Sequence, residues 1–211
     1  MSTISASTTS TTAYKVTADT TGALVLQTGA TPTTAVTIDA SQNATFAGTV
    51  ADSVGTLRPL VSGTAVASTS GTSIDFTSIP SWVKRITVMF NGVSTNGTSV
   101  IQVQIGSGSV TTTGHVSQTS TIANISTTAT TGFTQNYNPL AANINGGLFV
   151  ITLVSGFTYL GCGTMNTIAS TNNAYINAGN VTLGGVLDRV RITTVNGTDT
   201  FDAGSINILY E

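Results

Sequence analysis

The stretch Thr64–Gly106, TAVASTSGTSIDFTSIPSWVKRITVMFNGVSTNGTSVIQVQIG, decides the fold class. In Ile86-Thr87-Val88-Met89-Phe90, the residues Ile86, Val88 and Phe90 share one face of a strand, because side chains alternate with period two. After a turn-rich segment with Asn91-Gly92 and Asn96-Gly97, the run Ile101-Gln102-Val103-Gln104-Ile105 alternates again, three apolar residues opposite two glutamines. The pattern predicts a β-hairpin with one buried face and one wet or interfacial face. Trp82, the only Trp, precedes it, beside two of the six basic residues, Lys84 and Arg85.

Composition points the same way. Thr and Ser make up about three residues in ten of the 211, and β-branched Thr, Val and Ile pack well on a pleated surface while losing rotamer freedom in a helix. Almost no helix is expected. Only 7% of residues are charged, against about 25% in an ordinary soluble domain. A chain with so little surface charge suits close packing of copies, where hydroxyls avoid the desolvation cost of ions.

A net charge of −2 excludes an electrostatic footprint for nucleic acid. No apolar run is long enough for a membrane-spanning helix. MSTISASTTSTT lacks the basic and apolar regions of a signal peptide, and the single Cys162 excludes an intrachain disulfide. Both fit synthesis in a reducing cytoplasm.

Residues 1–12 form a Ser/Thr segment with nothing to bury, expected to be disordered or docked on another protein. Residues 13–50 read as short strands: AYKVTAD, GALVLQTG, TAVTIDA and ATFAGTV. They are too short and too weakly apolar for a core of their own, so this segment is expected to be an oligomeric stem. Asp39–Asn43 is expected to be a turn built by Asx and Ser side chains. Residues 51–62 are a linker in which Pro59 breaks the strand pattern. Residues 63–211 carry strand runs at the spacing of a sandwich or jelly roll. Leu148–Val154 (LFVITLV) reads as a strand covered on both faces, and Gly161–Asn173 as a Gly/Asn-rich loop. A second hairpin is expected from Val190–Thr194 through Asn196-Gly197 to Ser205–Tyr210.

The segment GALVLQTGATPTTAVTIDASQNATFAGTV resembles the β-rich stem of bacteriophage fibre proteins, through Gly22, Leu24, Leu26, Thr28, Gly29, Ala35, Thr37, Ile38, Asp39, Asn43, Phe46 and Gly48. The runs SIDFTSIPSWVKRITVMFNGVSTNGTS and LDRVRITTVNGTDTFDAGSINILYE look like the start and end of the C-terminal head of phage tail-fibre-like proteins. Residues 108–185 match much less. Where such heads tend to carry an aromatic and a Trp, this chain has His115 and Tyr159. The resemblance implies an all-β chain with a short trimeric β stem and a β-sandwich or jelly-roll-like head. It implies a non-enzymatic virion fibre, probing a host-surface glycan and held to other virion proteins through residues 1–12. The alternatives are a capsid head fibre or decoration protein, and a glycan-cleaving fibre.

The candidate site residues follow from chemistry. Tyr and Asn supply amphipathic area and adaptable hydrogen bonds, which makes Tyr137, Asn136, Asn138, Asn172, Asn173 and Tyr175 the expected glycan contacts. Trp82, Lys84, Arg85, Arg189, Arg191 and Tyr210 are expected to brace the head or a subunit seam, with Lys84 and Arg85 meeting Asp75 or Glu211. His115 reads as an exposed loop histidine, with no G-x-S-x-G elbow around it. Asp188 is expected to pair with Arg189 or Arg191, and Asp199 to serve its turn; with Asp202 these would be the acids of the glycan-cleaving alternative. One Cys, one His and scattered carboxylates imply neither a metal nor another cofactor.

Overall fold

The structure is a computed structural model that describes residues 22–28, 31, 33–53, 55–121, 126–141, 143–168 and 172–211. The expected N-terminal anchor and the strand AYKVTAD lie outside the described residues. Among those described there is no helix, and every strand pairing is antiparallel. The chain divides into two compact units, Met1–Arg58 and Pro59–Glu211.

The first unit is a three-stranded sheet of β1 (Leu24–Thr28), β2 (Thr33–Ile38) and β3 (Ala44–Phe46), in that order. Leu24 pairs with Ile38, Leu26 with Val36, and Val36 with Phe46. Alternation therefore puts Leu24, Leu26, Val36, Ile38, Ala44 and Phe46 on one face, with Val25, Thr37 and Thr45 on the other. None of its described residues is buried; Leu26 is 47% exposed and Phe46 52%. The Asp39 turn forms as expected: its carboxylate accepts the N–H groups of Ser41 and Asn43 at 2.9 Å and the Asn43 amide at 3.0 Å. The Asn43 bonds hold the Asp39 pKa below its usual range.

The second unit contains β4 (Val61–Ser62), β5 (Val66–Ala67), β6 (Ser73–Phe76), β7 (Arg85–Thr95), β8 (Ile101–Ser107), β9 (Ser109–Val110), β10 (Val116–Thr121), β11 (Ser126–Ala129), β12 (Phe133–Thr134), β13 (Ile144–Ser155), β14 (Thr158–Ile168), β15 (Asn173–Thr182), β16 (Arg189–Thr194) and β17 (Phe201–Tyr210). The larger sheet runs β11-β10-β15-β14-β13-β7-β17-β4, with β5 also on β17. The smaller runs β12-β8-β16-β6, with β9 on β8. Both contribute to one buried cluster: Ile86, Val88, Phe90, Phe149, Ile206 and Ile208 from the larger sheet, Ile74, Ile101, Val103, Ile105, Val190 and Ile192 from the smaller.

Two expectations are corrected here. Ile86–Phe90 and Ile101–Ile105 lie on strands of different sheets: β7 pairs with β13 and β17, whereas β8 pairs with β12, β16 and β9. Likewise β16 pairs with β8 and β6, and β17 with β7. Neither expected hairpin exists. Each turn carries the chain from one sheet to the other, so the two apolar faces meet across the interior instead of lying side by side.

One hairpin that does form is β13–β14, closed at Gly156, whose φ of 54° is left-handed. The expected Gly/Asn loop begins inside β14: Gly161 to Ile168 are strand. Gly161 and Gly179 are register partners on β14 and β15, and a Cβ on Gly161 would meet the Phe149 ring at 2.3 Å. The missing side chains leave room for Phe149 and Phe133 to pack 5.2 Å apart. β13 has Phe149 and Ile151 buried, while Leu148 and Val154 on its other face are exposed, so within one chain the run is covered on one face only.

Candidate functional site

The expected glycan contacts meet at one place but do not form an open surface. The Tyr175 hydroxyl, on β15, donates to the Tyr137 carbonyl at 3.0 Å, tying the segment after β12 to the start of β15. Tyr175 is 1% exposed and Tyr137 packs against the core. Asn136 is also buried; its side-chain oxygen accepts the Ile101 N–H at 2.9 Å and its amide donates to Asn145 at 3.3 Å. Asn136 and Tyr175 are therefore structural. Their polar atoms satisfy buried backbone and side-chain groups, as buried polar groups must. Asn138 and Asn172 are exposed and Asn173 is half-buried. Asn138 has a φ of 45°, a conformation Asn tolerates better than most residues.

Asn136 belongs to a polar layer inside the core. The Asn145 oxygen also accepts from Thr167 at 2.8 Å, and its amide donates to the Val93 carbonyl at 3.0 Å. Thr119 bonds Thr134 at 2.8 Å, and Asn177 donates to Gln135 at 3.3 Å. His115 lies in this interior as well, against its expected exposed position. It is 1% exposed, neither ring nitrogen has a hydrogen-bond partner, and the ring meets Phe133 edge-on at 5.0 Å. Its backbone N–H donates to the Thr130 carbonyl at 3.1 Å, fixing it where β10 begins. Desolvation lowers its pKa from 6.5 to about 4, so the ring is neutral at pH 7.

The bracing residues act within the chain. Arg85 forms an ion pair with Glu211, and the Lys84 and Arg85 N–H groups both donate to the Glu211 carbonyl, at 2.8 and 2.9 Å. Asp75 takes Arg191 instead, through two bonds of 2.7 and 2.9 Å. Asp188 pairs with Arg189 at 2.7 Å, and that bond holds its carboxyl below the usual range. Trp82 is half-buried, with its ring 6.0 Å from that of Tyr210. Asp199 accepts the Ser99 N–H at 2.9 Å and the Asn196 amide at 2.6 Å, and Asp202 accepts from the Ser94 hydroxyl, so both acids are tied into loop and strand bonds. Among the described residues no group of three or more His, Cys, Asp or Glu is placed to hold a metal.

The outer face of the smaller sheet is polar, and much of it is covered: Gln102, Gln104 and Thr193 are buried. Gln102 faces Thr193, and Gln104 faces Arg191, which faces Asp75 on the next strand. Gln102, Gln104, Arg191 and Thr193 line a groove of about 310 Å³ with Thr72, Thr112, Thr131 and Asn196. Gln104 donates to the Thr131 carbonyl at 2.8 Å and Gln102 accepts from the Thr131 hydroxyl at 2.9 Å, which holds both amides in place. The rim of the groove, exposed Thr72, Thr112 and Asn196 beside half-buried Arg191, offers hydroxyls, an amide and a guanidinium, which suit ligands rich in hydroxyl groups. The Gln102/Gln104 alternation reads in the sequence as a wet face, but both side chains are buried, their amides donating to the Thr194 and Thr131 carbonyls. The groove appears only when β16 and β6 are laid beside β8.

Comparison with known protein families, curated proteins and solved structures found no match for this chain.

Proposed function

We propose that the chain is a structural fibre subunit of a bacteriophage virion, a homotrimeric tail fibre whose head adheres to a host-surface glycan. Residues 13–50 of three copies form an intertwined β stem, residues 51–62 link it to the head, and residues 63–211 form the β-sandwich, jelly-roll-like head. Residues 1–12 grip another virion protein.

The observation that carries this reading is the bare sheet of the first unit. Six apolar side chains occupy one face of three short strands, and none of them is buried. A sheet of that size is marginal in water unless its apolar face is covered, and identical copies side by side supply the cover. The resemblance of Gly22–Gly48 and of the two ends of the second unit to phage fibre proteins says which kind of assembly this is. Adhesion then works by avidity, in which weak glycan contacts are multiplied by copy number. The rim of that groove, Thr112, Asn196 and Arg191, is the contact surface this reading favours.

Sedimentation of the folded protein tests it. A particle of three chain masses is expected, and a monomer would sink the stem. Thr112→Ala with Arg191→Ala should weaken attachment of the trimer to host cells at least tenfold. Release of reducing ends from host polysaccharide would favour the glycan-cleaving alternative. A labelled N-terminus imaged on the capsid rather than the tail would favour the head-fibre alternative.

A further inference from the structure

We infer that the outer face of the larger sheet, from β10 across β15, β14 and β13 to β7, packs against the head of a neighbouring copy of the chain. The inference rests on the oligomeric stem proposed above and adds a second contact to it, between heads.

Charge is the first reason. From Ile86 to Leu187 the chain contains no Asp, Glu, Lys or Arg. That stretch supplies all of β10, β13, β14 and β15, and all of β7 after Arg85. Asp75 and Arg191 lie on the smaller sheet, Asp188 and Arg189 at its margin, and Arg85 marks where the uncharged area ends. The uncharged face also exposes large apolar side chains among its amides and hydroxyls: Val116 is 65% exposed, Ile176 58%, Leu160 50% and Leu148 46%, beside Gln118, Thr164 and Asn180. Exposed apolar groups gathered on one face, with no charge among them, mark an interaction surface.

The sequence of β13 is the second reason. Leu148–Val154 has the continuous apolar character of a strand covered on both faces, yet its own chain covers only the Phe149 and Ile151 side. The missing cover is intermolecular. Four strands of ten to twelve residues plus β10, at about 4.8 Å between strands and about 3.3 Å per residue, present roughly 800 Å² in projection. That is close to the ~800 Å² each partner contributes to a standard specific interface.

The occupant follows from the same features. A neutral face meets its own copy without like-charge repulsion, and a stem that already joins copies raises their effective concentration. A depression of about 610 Å³, lined by Val116, Leu160 and Cys162, is room for a partner's side chain.

Cys162 is the natural probe. It is the only cysteine, it is exposed in the single chain, and it faces Ala178 on one side and Val150 on the other within this face. The rate of its alkylation by N-ethylmaleimide in the full-length protein at micromolar concentration should be at least tenfold below that of the urea-denatured chain. Ile176→Glu or Leu148→Glu should restore a rate within threefold of the denatured one, while Trp82 fluorescence reports a folded second unit and sedimentation still reports three chains. A wild-type trimer whose Cys162 reacts at the denatured rate overturns the head contact and leaves the stem standing. Protection that persists in a monomeric species, or that occurs only in intact virions, assigns the cover to the chain itself or to another protein, and overturns it too. A Leu26→Asp, Phe46→Asp chain separates the two readings: if it self-associates with concentration and protects Cys162, the head contact stands without the stem.

Discussion

The two units are built from the same residue types, and only one of them encloses a core. In the first, Leu26, Val36 and Phe46 line up across three strands and remain in water. In the second, Val88, Val103 and Phe149 occupy equivalent alternating positions and are fully buried. Alternation makes a face apolar, but burial needs a second layer, and the second unit has one because its chain crosses repeatedly between sheets. The first unit, with three described strands in one sheet, has no second layer among the described residues, and the proposed stem would supply one.

Paired substitutions break this comparison most directly. Phe149→Ala should destabilise the second unit by about 3–5 kcal/mol, the range for emptying a packed aromatic site, measured by urea unfolding followed through Trp82. The same change at Phe46 should leave that unfolding midpoint unmoved and lower the association constant of the trimer, read by sedimentation.

The buried histidine gives the next effect. Its folded pKa, about 4, lies below its ordinary 6.5, so the unfolded chain binds the proton more readily. The stability from a neutral ring is fully present above about pH 6.5, falls as the pH drops, and is gone below about pH 4. At roughly 1.4 kcal/mol per pKa unit the loss is about 3 kcal/mol. His115→Phe should flatten that part of the pH–stability curve, and a slope unchanged by the substitution would refute the assignment. Asn136→Ala should cost about 1–3 kcal/mol, because the Ile101 N–H would be left buried without its acceptor. The smallest change is Arg191→Ala. Its pair with Asp75 is about two-fifths exposed on each side, so less than about 1 kcal/mol of stability should be lost, and the attachment defect should exceed anything stability explains.

Much of the fold was legible because period-two alternation is local. Ile86, Val88 and Phe90, and Ile101, Val103 and Ile105, were readable as inward faces, and so was the absence of helix. The Asp39 turn and the Asp188–Arg189 pair were readable as well, since their bonds join residues within four positions of one another. The candidate site was less legible. Tyr175 and Asn136 have the composition of surface contacts, yet each serves a carbonyl or N–H more than thirty residues away. The sheet partners of β7 and β8 likewise lie outside the segment that joins them.

From sequence alone, then, came the strands, the faces they turn inward and the shortage of charge, because each is a property of neighbours along the chain. Tertiary structure alone decided that the stretch Thr64–Gly106 spans two sheets, that His115 is enclosed, and that Gln104 and Arg191 share one groove. A strand's alternation specifies which face is buried. Which strands bond its edges depends on where distant segments pack, and nothing local encodes that.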